Sequence, residues 1–400
     1  MTDNRWLLPE GIQEILPQEA ARLELLRRRL LDQYASWGYE LVIPPLIEYL
    51  ESLLIGAGSD LELQTFKITD QLNGRMMGIR ADMTPQVARI DAHQLRRDEP
   101  TRLCYIGTVL HTRPDGFAGS RSPVQTGAEL YGHEGPASDI EIISLMIETL
   151  RAAGLQELYI DIGHVGIYRE VANAAGFDKA QTDTVFDLLQ RKALVEIREY
   201  LTANKVNANA QAMLLALVEL NGDISVLNKA RTQLKAAGKK VVEALDYLTQ
   251  VAEGVQQRAP DLNLHFDLAE LRGYHYHQTG VVFAAYAPGE GQEVARGGRY
   301  DGIGAVFGRP RAATGFSTDL NALMRLTTHD IKNIAAIYAP VVSAQDEAAL
   351  WQAITTLRAQ GECVIQALPE TDTKKIVNPA ALSCNRQLLK TAQGWQVKPL

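Results

Sequence analysis

Polar and charged side chains gather in three short stretches of the sequence, each at the end of a segment with a strand pattern. The stretches contain Arg80, Asp82 and Thr84, then Gln125 and Glu129, and then Arg272, His275 and His277. Because side chains two residues apart share one face of a strand, Gln125 and Glu129 are expected to lie on the same face. A row of this kind can form the floor of a pocket for a small polar ligand, although a solvated outer face of a sheet has the same pattern.

The sequence LHTRPDGFAGSRSPVQTGAE, residues 110–129, predicts a hairpin whose loop could hold a phosphate. Arg113 and Arg121 lie beside glycines in this loop. Glycine lets the backbone approach a ligand closely, and arginine can donate two parallel hydrogen bonds to phosphate oxygens. The loop is therefore a candidate nucleotide site, and the strand that leaves it carries Gln125 and Glu129.

Other catalytic chemistries have weaker support in the residues. His275 and His277 share one strand face, but no third histidine or nearby carboxylate completes a ligand set, so no metal is predicted. The segment GGRYDGIG lacks the Lys-Ser/Thr ending of a P-loop, and the sequence has no G-x-S-x-G nucleophile motif. Three cysteines, Cys104, Cys363 and Cys384, are far apart and odd in number, so neither a disulfide framework nor a zinc site is expected.

The composition is that of an ordinary globular protein and does not suggest a nucleic-acid partner. The chain has 400 residues, of which 46% are hydrophobic and 22% charged, so it can form a sizeable core in two or three domains. Its formal net charge is −8, whereas nucleic-acid-binding proteins usually have a basic surface. The sequence lacks a signal-peptide pattern and an apolar run long enough to cross a membrane, so a cytoplasmic location is expected.

Hydrophobic periodicity predicts an α+β fold around a mainly antiparallel sheet. Strands in the first half form local hairpins joined by helices, and Asn73-Gly74 marks a tight turn between two of these strands. Thr84 is the predicted N-cap of the helix that follows, with Pro85 at its first position.

The order of helix and strand patterns also predicts the division of the chain. Residues 169–258 are helix-periodic throughout and predict a helical insertion, after which strands return from Leu262. We therefore predict a core over residues 1–325. Residues 326–400 are expected to form a small C-terminal α/β module with a strand, a helix, a strand and a polar end.

Taken together, these stretches resemble class II aminoacyl-tRNA synthetases, and histidyl-tRNA synthetase in particular. The similar segments run in the family's order from residue 5 to about residue 325, and they are LPEGIQEILPQEA, WGYELVIPPLIE, GIRADMTPQVAR, YIGTVLHTRPDGFAGSRSPVQTGAE, ELRGYHYHQTGVVF and GGRYDGIGAVFGRPRAATGF. Several ordered motifs over this length make chance a poor explanation. The resemblance implies a six-stranded, mainly antiparallel sheet flanked by helices, with a dimer interface around the motif-1 segment WGYELVIPPLIE.

The sequence departs from the synthetase family at positions that the family uses for ATP. The motif-2 arginine and glutamate positions are His111 and Arg113, and the motif-3 arginine position is Ala322. A histidine that is mostly neutral at pH 7 does not bind phosphate as an arginine does. Because adenylate formation depends on electrostatic stabilisation of the reacting phosphate, we expect this chain to have no catalytic residues and no cofactor.

At the positions that the family uses to bind histidine, this sequence is more similar to the family than at the ATP positions. The matching residues are Asp82, Thr84, Gln125, Glu129, Arg272 and Tyr276. By the resemblance, Asp82 and Thr84 would meet the ammonium group of histidine. Gln125 and Glu129 would meet the amino group and the imidazole, and Arg272 would meet the carboxylate. Asp82 is shorter than the family's glutamate, and His277 follows Tyr276 where the family has paired tyrosines.

A synthetase-like chain that keeps a histidine pocket and loses ATP chemistry is similar to one family of synthetase paralogues, the regulatory subunits of ATP phosphoribosyltransferase. Members of that family work with a short catalytic subunit that performs the first step of histidine biosynthesis. The resemblance implies that this chain forms a dimer, activates such a partner, transmits feedback inhibition by histidine, and binds neither nucleic acid nor membrane. The alternative is a divergent histidyl-tRNA synthetase, or a synthetase paralogue with aminoacylation-type activity.

Overall fold

The chain folds as two units, Met1–Thr328 and His329–Leu400, each built on its own sheets. The structure is a computed structural model that describes residues 6–55, 59–114, 120–269, 279–327, 336–369 and 378–400. The first unit holds a nine-stranded and a three-stranded sheet, and the second unit holds a four-stranded sheet. Among the described residues, no helix is both long and apolar enough to cross a membrane.

The large sheet has the predicted antiparallel core and three further strands. In sheet order its strands are β1 (Glu40–Leu41), β5 (Thr101–Thr108), β6 (Val124–Tyr131), β12 (Ala313–Asp319), β11 (Ala295–Arg299), β10 (Val281–Tyr286), β7 (Tyr159–His164), β9 (Asn263–Asp267) and β8 (Asn221–Gly222). The six strands from β5 to β7 pair antiparallel throughout, as predicted.

The predicted count of six strands is wrong for the sheet as a whole. Strand β1 pairs parallel with β5, β9 pairs parallel with β7, and β8 pairs antiparallel with β9. Strands β1 and β8 have two residues each, which is too short to give an alternating hydrophobic pattern. The position of β9 depends on where the chain returns after a long run of helices, and local sequence does not determine that.

A three-stranded antiparallel sheet precedes the candidate site in the chain. Its order is β2 (Ile47–Tyr49), β4 (Met76–Ile79) and β3 (Phe66–Thr69). The predicted Asn73-Gly74 turn between β3 and β4 is confirmed. Gly74 has a φ of +73°, which glycine adopts without strain, and Asn73 Oδ1 accepts a hydrogen bond from the amide of Arg75 at 2.9 Å.

Helices pack against both faces of the large sheet. The helices of the first unit are α1 (Pro17–Ser36), α2 (Leu50–Leu53), α3 (Ser59–Gln64), α4 (Thr84–Arg89), α5 (Pro136–Ala153), α6 (Val165–Ala174), α7 (Lys179–Gln190), α8 (Leu194–Ala203), α9 (Ala208–Glu219), α10 (Ser225–Gln233), α11 (Lys239–Arg258), α12 (Ile303–Val306) and α13 (Leu320–Leu326). Alternation along β5 separates the faces: Cys104 belongs to the core that includes α1 and α5, and Tyr105 to the core that includes α4 and α12.

Six helices, α6 to α11, lie between β7 and β9, where the sequence predicts an insertion over residues 169–258. Helix α11 approaches α5 closely at Gly254, because a Cβ there would lie 2.3 Å from Ile140 Cδ1. The apolar faces of these helices join the main hydrophobic core, in which Leu248 and Val251 are fully buried. The insertion is therefore packed onto the sheet layer through α5.

The predicted role of Thr84 as a helix N-cap is wrong by one position. Met83 is the N-cap of α4 and makes no side-chain capping bond, while Thr84 is the first helical residue. The Thr84 amide instead donates to Asp82 Oδ1 at 3.0 Å. The Thr84 hydroxyl is directed to a buried carboxylate, Glu129, which is a stronger acceptor than a neutral group. The helix then continues as a π-helical segment over Ile90–Leu95.

The second unit is a small α/β unit with a hairpin at its end. Its elements are β13 (Ala336–Ala339), α14 (Ala344–Ala359), β14 (Val364–Gln366), β15 (Cys384–Thr391) and β16 (Gly394–Pro399), and the sheet order is β14-β13-β15-β16. The strand, helix and second strand occur where the sequence predicts them. The predicted polar end is instead the antiparallel hairpin β15–β16. Much of this hairpin is solvent-exposed, and Leu388 is one of its few buried side chains, so the hydrophobic alternation was weak.

Candidate functional site

A buried carboxylate lies at the centre of the candidate site. Glu129 of β6 is 1% exposed, and its carboxylate accepts hydrogen bonds from three hydroxyl groups. Thr84 Oγ1 donates to Oε1 over 3.1 Å, and Tyr105 OH donates to the same oxygen over 3.0 Å. Tyr300 OH donates to Oε2. The start of α4, β5 and the segment after β11 each supply one hydroxyl, so the carboxylate is held from three sides.

Two glycines make room for this arrangement. Gly315 of β12 pairs with Glu129 of β6, and a Cβ at Gly315 would lie 1.6 Å from Glu129 Oε2. A Cβ at Gly127 would lie 2.6 Å from Tyr105 OH and 2.3 Å from the carbonyl oxygen of Phe316. The sequence analysis did not single out Gly315. Its one local signal is a glycine inside the strand segment AATGFST, which often marks a close approach of another group.

A second set of polar side chains, Asp82 and Gln125, lies next to the Glu129 carboxylate at the start of α4. Gln125 Nε2 donates to Asp82 Oδ1 over 2.8 Å, and the amide of Met83 donates to Gln125 Oε1 over 2.9 Å. The amide of Thr84 donates to Asp82 Oδ1. Thr84 therefore connects Asp82 and Glu129, since its amide donates to Asp82 and its hydroxyl donates to Glu129.

The structure thus brings together four of the six residues that the sequence assigned to a histidine pocket. They are Asp82, Thr84, Gln125 and Glu129. Gln125 and Glu129 lie on the same face of β6, as the period-two argument predicts, because both engage residues at the start of α4. The other two, Arg272 and Tyr276, lie outside the described residues, and so do His275 and His277.

Burial determines the protonation of Glu129. Loss of solvent raises the pKa of this carboxyl group to about 8, although hydrogen bonds from Tyr300, Tyr105 and Thr84 act in the opposite direction. The negative charge of Asp82 contributes to this raised pKa. A cationic group bound between the two carboxylates would offset their repulsion and favour the ionised form of Glu129.

This shifted pKa predicts a pH dependence of stability. A Glu129 pKa of about 8 lies above the usual value of 4.5, so the folded state keeps a proton that the unfolded state releases between these values. The stabilisation is complete below about pH 4.5 and is lost as the pH rises through 8. Relative to Glu129→Gln, which cannot ionise, the wild type should lose a few kcal/mol between pH 5 and pH 9, measured by urea unfolding. Parallel stability curves for the two proteins would contradict this.

Arg80, in the first polar stretch, has a structural role. It is buried, and its guanidinium donates to the carbonyl oxygens of Thr108, at 2.9 Å, and Pro44, at 2.7 Å. Burial without a carboxylate partner lowers the pKa of this guanidinium. A Cβ at Gly107 would lie 2.5 Å from Arg80 Nη2, so glycine lets the side chain cross the end of β5. Arg80 therefore fastens the end of β5 to the segment before β2.

Of the two arginines that the sequence places in the hairpin loop, Arg121 makes its contacts within the chain. Arg121 donates to the carbonyl oxygens of His111, at 3.0 Å, and Glu10, at 3.1 Å, and its guanidinium lies over the Phe66 ring. It therefore ties the N-terminal segment to the hairpin. Arg113 is exposed at the edge of the described loop.

The structure describes the residues at the positions that match the ATP site of synthetases. His111 is buried, and its Nε2 lies 2.9 Å from the carbonyl oxygen of Ala81. Ala322 and the exposed Arg325 lie on α13. Within the described ranges, no group of three or more His, Cys, Asp or Glu side chains is placed to hold a metal ion.

Comparison with known proteins first gives the class of the chain. A family model described as histidyl-tRNA synthetase matches residues 11–323. A solved structure from Bacillus halodurans, described as an ATP phosphoribosyltransferase regulatory subunit/histidyl-tRNA synthetase, superposes with a TM-score of 0.82 at 28% identity, covering 95% of this chain and 96% of that one. Histidyl-tRNA synthetase from Nostoc has a TM-score of 0.80 at 18% identity, covering 99% and 95%. The family model and the fold therefore define a histidyl-tRNA synthetase-like protein, as predicted.

Matches to the second unit and to full-length relatives identify the family within this class. A model described as the ATP phosphoribosyltransferase subunit HisZ C-terminal domain matches residues 334–398. Proteins named ATP phosphoribosyltransferase regulatory subunit are 59% identical in Thioalkalivibrio sulfidiphilus, with 100% of both chains covered, and 55% identical in Alkalilimnicola ehrlichii, with 100% and 98% covered. The chain belongs to the family of ATP phosphoribosyltransferase regulatory subunits. This confirms the predicted family and favours a regulatory role over a divergent synthetase.

Proposed function

We propose that this chain binds and activates the short catalytic subunit of ATP phosphoribosyltransferase and makes it sensitive to histidine. The observation that carries the proposal is the contrast within the synthetase-like site. The Glu129 cluster, which consists of Glu129 and the hydroxyl groups of Thr84, Tyr105 and Tyr300 that donate to it, surrounds a buried carboxylate. The positions that match the ATP site of synthetases instead hold His111, Arg113 and Ala322. Catalysis would belong to the partner, in the first step of histidine biosynthesis, and the complex would act in the cytoplasm.

The geometry of the cluster suits the side chain and amino group of histidine. An ionised carboxylate offers about four acceptor positions, and the three hydroxyls on Glu129 leave capacity for an imidazole N–H. Asp82 and Gln125 lie next to it and could accept the ammonium group. Arg272 and Tyr276 are assigned by resemblance to the carboxylate side of the ligand. Histidine would inhibit if it favours the less active state of the complex.

A second copy of the chain is the proposed partner of the motif-1 surface. This surface consists of Leu41, Ile43, Leu46 and Ile47, all of which are exposed in the isolated chain, Ile43 by 79%. Strand β1 is an edge of the large sheet, and an exposed apolar edge is a common site of association. The dimer implied by the synthetase resemblance would cover these side chains.

The proposed partnership predicts one larger complex with altered activity. By size-exclusion chromatography, the chain alone should elute as a dimer of 44.1 kDa subunits, and with the short catalytic subunit both should elute earlier together. The rate of phosphoribosyl transfer should rise in the mixture and fall again on addition of histidine.

Two outcomes would count against this proposal. Separate elution of the two proteins, with no change in the rate of phosphoribosyl transfer, would contradict the proposed partnership. ATP–pyrophosphate exchange with histidine by this chain alone would instead favour the alternative of a divergent synthetase.

A further inference from the structure

A cavity of about 370 Å³ lies where the ends of two helices meet the middle of a third. Helix α1 ends at its C-cap Trp37, helix α11 ends at its C-cap Ala259, and both helices pack against α5. These helices share the core of Ala128 and Leu130, so the cavity is on the face of the large sheet opposite to Glu129. Ligand pockets usually have volumes of about 300 to 1,000 Å³, so this space suits a small molecule. The cavity is lined by Trp37, Ser144, Ile147, Glu148, Arg258 and Ala259.

The middle of the cavity wall is apolar and aromatic. Ile147 and Ala259 are buried side chains, and the half-buried Trp37 packs against the same core. The Ser144 hydroxyl donates to the carbonyl oxygen of Ile140 over 2.6 Å, so towards the cavity it can only accept a hydrogen bond. An aromatic ring beside a branched aliphatic side chain offers a surface for a flat or apolar group of a ligand.

A guanidinium with unused donors lies at one side of this wall. Arg258, in the last turn of α11, is exposed and forms no hydrogen bond or ion pair with the residues that the structure describes. The nearby Glu141 carboxylate already accepts hydrogen bonds from Tyr39 and, through both oxygens, from Arg102. Burial acts to raise the pKa of Glu141, but Arg102 and, to a smaller extent, Arg258 hold it below the usual value. Arg258 can therefore donate two parallel hydrogen bonds to a carboxylate that enters the cavity.

The other polar groups at the cavity favour a cation. The Glu148 side chain is 46% exposed, and its Oε1 accepts one long hydrogen bond, of 3.3 Å, from Arg151. Arg151 donates over a shorter distance, 2.6 Å, to Asp261, so Glu148 keeps most of its capacity to accept. The last carbonyl groups of α1 and α11 also carry partial negative charge at this point. Glu148 and the two helix ends together suit an ammonium group.

We propose that this cavity binds the zwitterion of an α-amino acid with an apolar or aromatic side chain. Arg258 pairs with the carboxylate of the ligand, and Glu148 accepts the ammonium group. The side chain of the ligand lies against Trp37 and Ile147. This inference goes beyond the proposed function and does not depend on it, because no residue of the Glu129 cluster lines the cavity.

The test uses L-phenylalanine as the probe and fluorine NMR of the full chain labelled with fluorotryptophan as the readout. The chain has four tryptophans, and the signal that is lost in Trp37→Phe belongs to Trp37. Titration with L-phenylalanine should shift the Trp37 signal until it saturates, and the other tryptophan signals should stay in place. Phenylpropionate lacks the ammonium group and phenethylamine lacks the carboxylate, so each should bind at least about tenfold more weakly.

Two variants match the two analogues. Arg258→Gln should weaken the binding of L-phenylalanine about tenfold or more but that of phenethylamine less than about twofold, because this analogue has no carboxylate to lose. Glu148→Gln should weaken L-phenylalanine and leave phenylpropionate nearly unchanged. Both side chains are at the surface, so these substitutions leave the core intact. The matched control is Arg198→Gln, which removes an exposed guanidinium from α8 and should not change binding.

The outcomes test the cavity and the class of ligand separately. A Trp37 signal that does not move with L-phenylalanine, or that moves without saturating, would overturn the binding site. If phenethylamine binds as tightly as L-phenylalanine, or if Arg258→Gln behaves like Arg198→Gln, the cavity does not recognise the zwitterion and the proposal is wrong.

Discussion

Gly315→Ala is expected to lower the free energy of unfolding by about 3 kcal/mol and to abolish high-affinity histidine binding. The new methyl group would lie 1.6 Å from Glu129 Oε2 and 2.8 Å from the carbonyl oxygen of Ala128. The Glu129 side chain could move only by giving up hydrogen bonds from buried hydroxyls, since it is held by three of them. Urea unfolding and titration calorimetry with histidine measure the two effects.

A rescue experiment identifies the cause of this loss. The double variant Gly315→Ala/Glu129→Ala removes the clashing carboxylate, so its stability should exceed the value expected from adding the two single effects. Gly291→Ala is the matched control, because a Cβ at Gly291 meets no atom within 4 Å. If Gly315→Ala is as stable as Gly291→Ala, the carboxylate is not confined as the structure places it.

Local pattern predicts those parts of the site that depend on one strand at a time. Period two is enough to put Gln125 and Glu129 on one face of β6, and the Asn73-Gly74 turn follows from residue type alone. The hydroxyls on Glu129 do not follow from local pattern. Tyr300 is 171 residues from Glu129, and it reaches the carboxylate because β12 pairs with β6 and β11 pairs with β12 in the sheet.

The same distinction explains the wrong N-cap prediction for Thr84 and the contacts of the loop arginine Arg121. Thr84 has the residue type and position of an N-cap, but its hydroxyl binds Glu129, which lies 45 residues further along the chain. Arg113 and Arg121 have the local pattern of a phosphate loop, yet Arg121 binds the carbonyl oxygens of Glu10 and His111. In each case a partner distant in sequence determined the role of the side chain. The resemblance to synthetases predicted the antiparallel core, and the extra strands at its edges came from pairings too short to leave a pattern.

Under the proposed function, the Glu129 cluster is the part of a synthetase pocket that a regulatory site can keep. Binding an amino acid needs a shaped polar pocket, whereas activating it needs cations aimed at the phosphate in the transition state. The first requirement is met by buried, hydrogen-bonded groups that also stabilise the core, such as Glu129 and Tyr105. The second depends on a few side chains that can change with little effect on packing, such as the exposed Arg113 and the half-buried Ala322.

Glu129→Gln is expected to raise the histidine concentration for half-inhibition of the complex by about 30-fold or more. The amide removes the negative charge that would accept the imidazole N–H, and loss of a charge-assisted hydrogen bond in a buried site costs about 2 kcal/mol or more. Arg272→Ala should blunt inhibition as well, through the ligand carboxylate. The uninhibited rate of phosphoribosyl transfer should stay within about twofold of wild type, since the proposed function places catalysis in the partner.

Glu141→Gln is the matched control, because it removes a half-buried carboxylate elsewhere in the same unit. Glu141 on α5 binds Tyr39, at 3.0 Å, and Arg102 through both oxygens, so its loss should lower stability without touching the Glu129 cluster. Inhibition should therefore be nearly unchanged in this variant. If Glu129→Gln and Arg272→Ala both keep wild-type inhibition, histidine acts at another place, and the interface with the catalytic subunit becomes the site to examine. A selective effect of Glu129→Gln would instead mean that the carboxylate inherited from a synthetase pocket recognises the end product of the pathway.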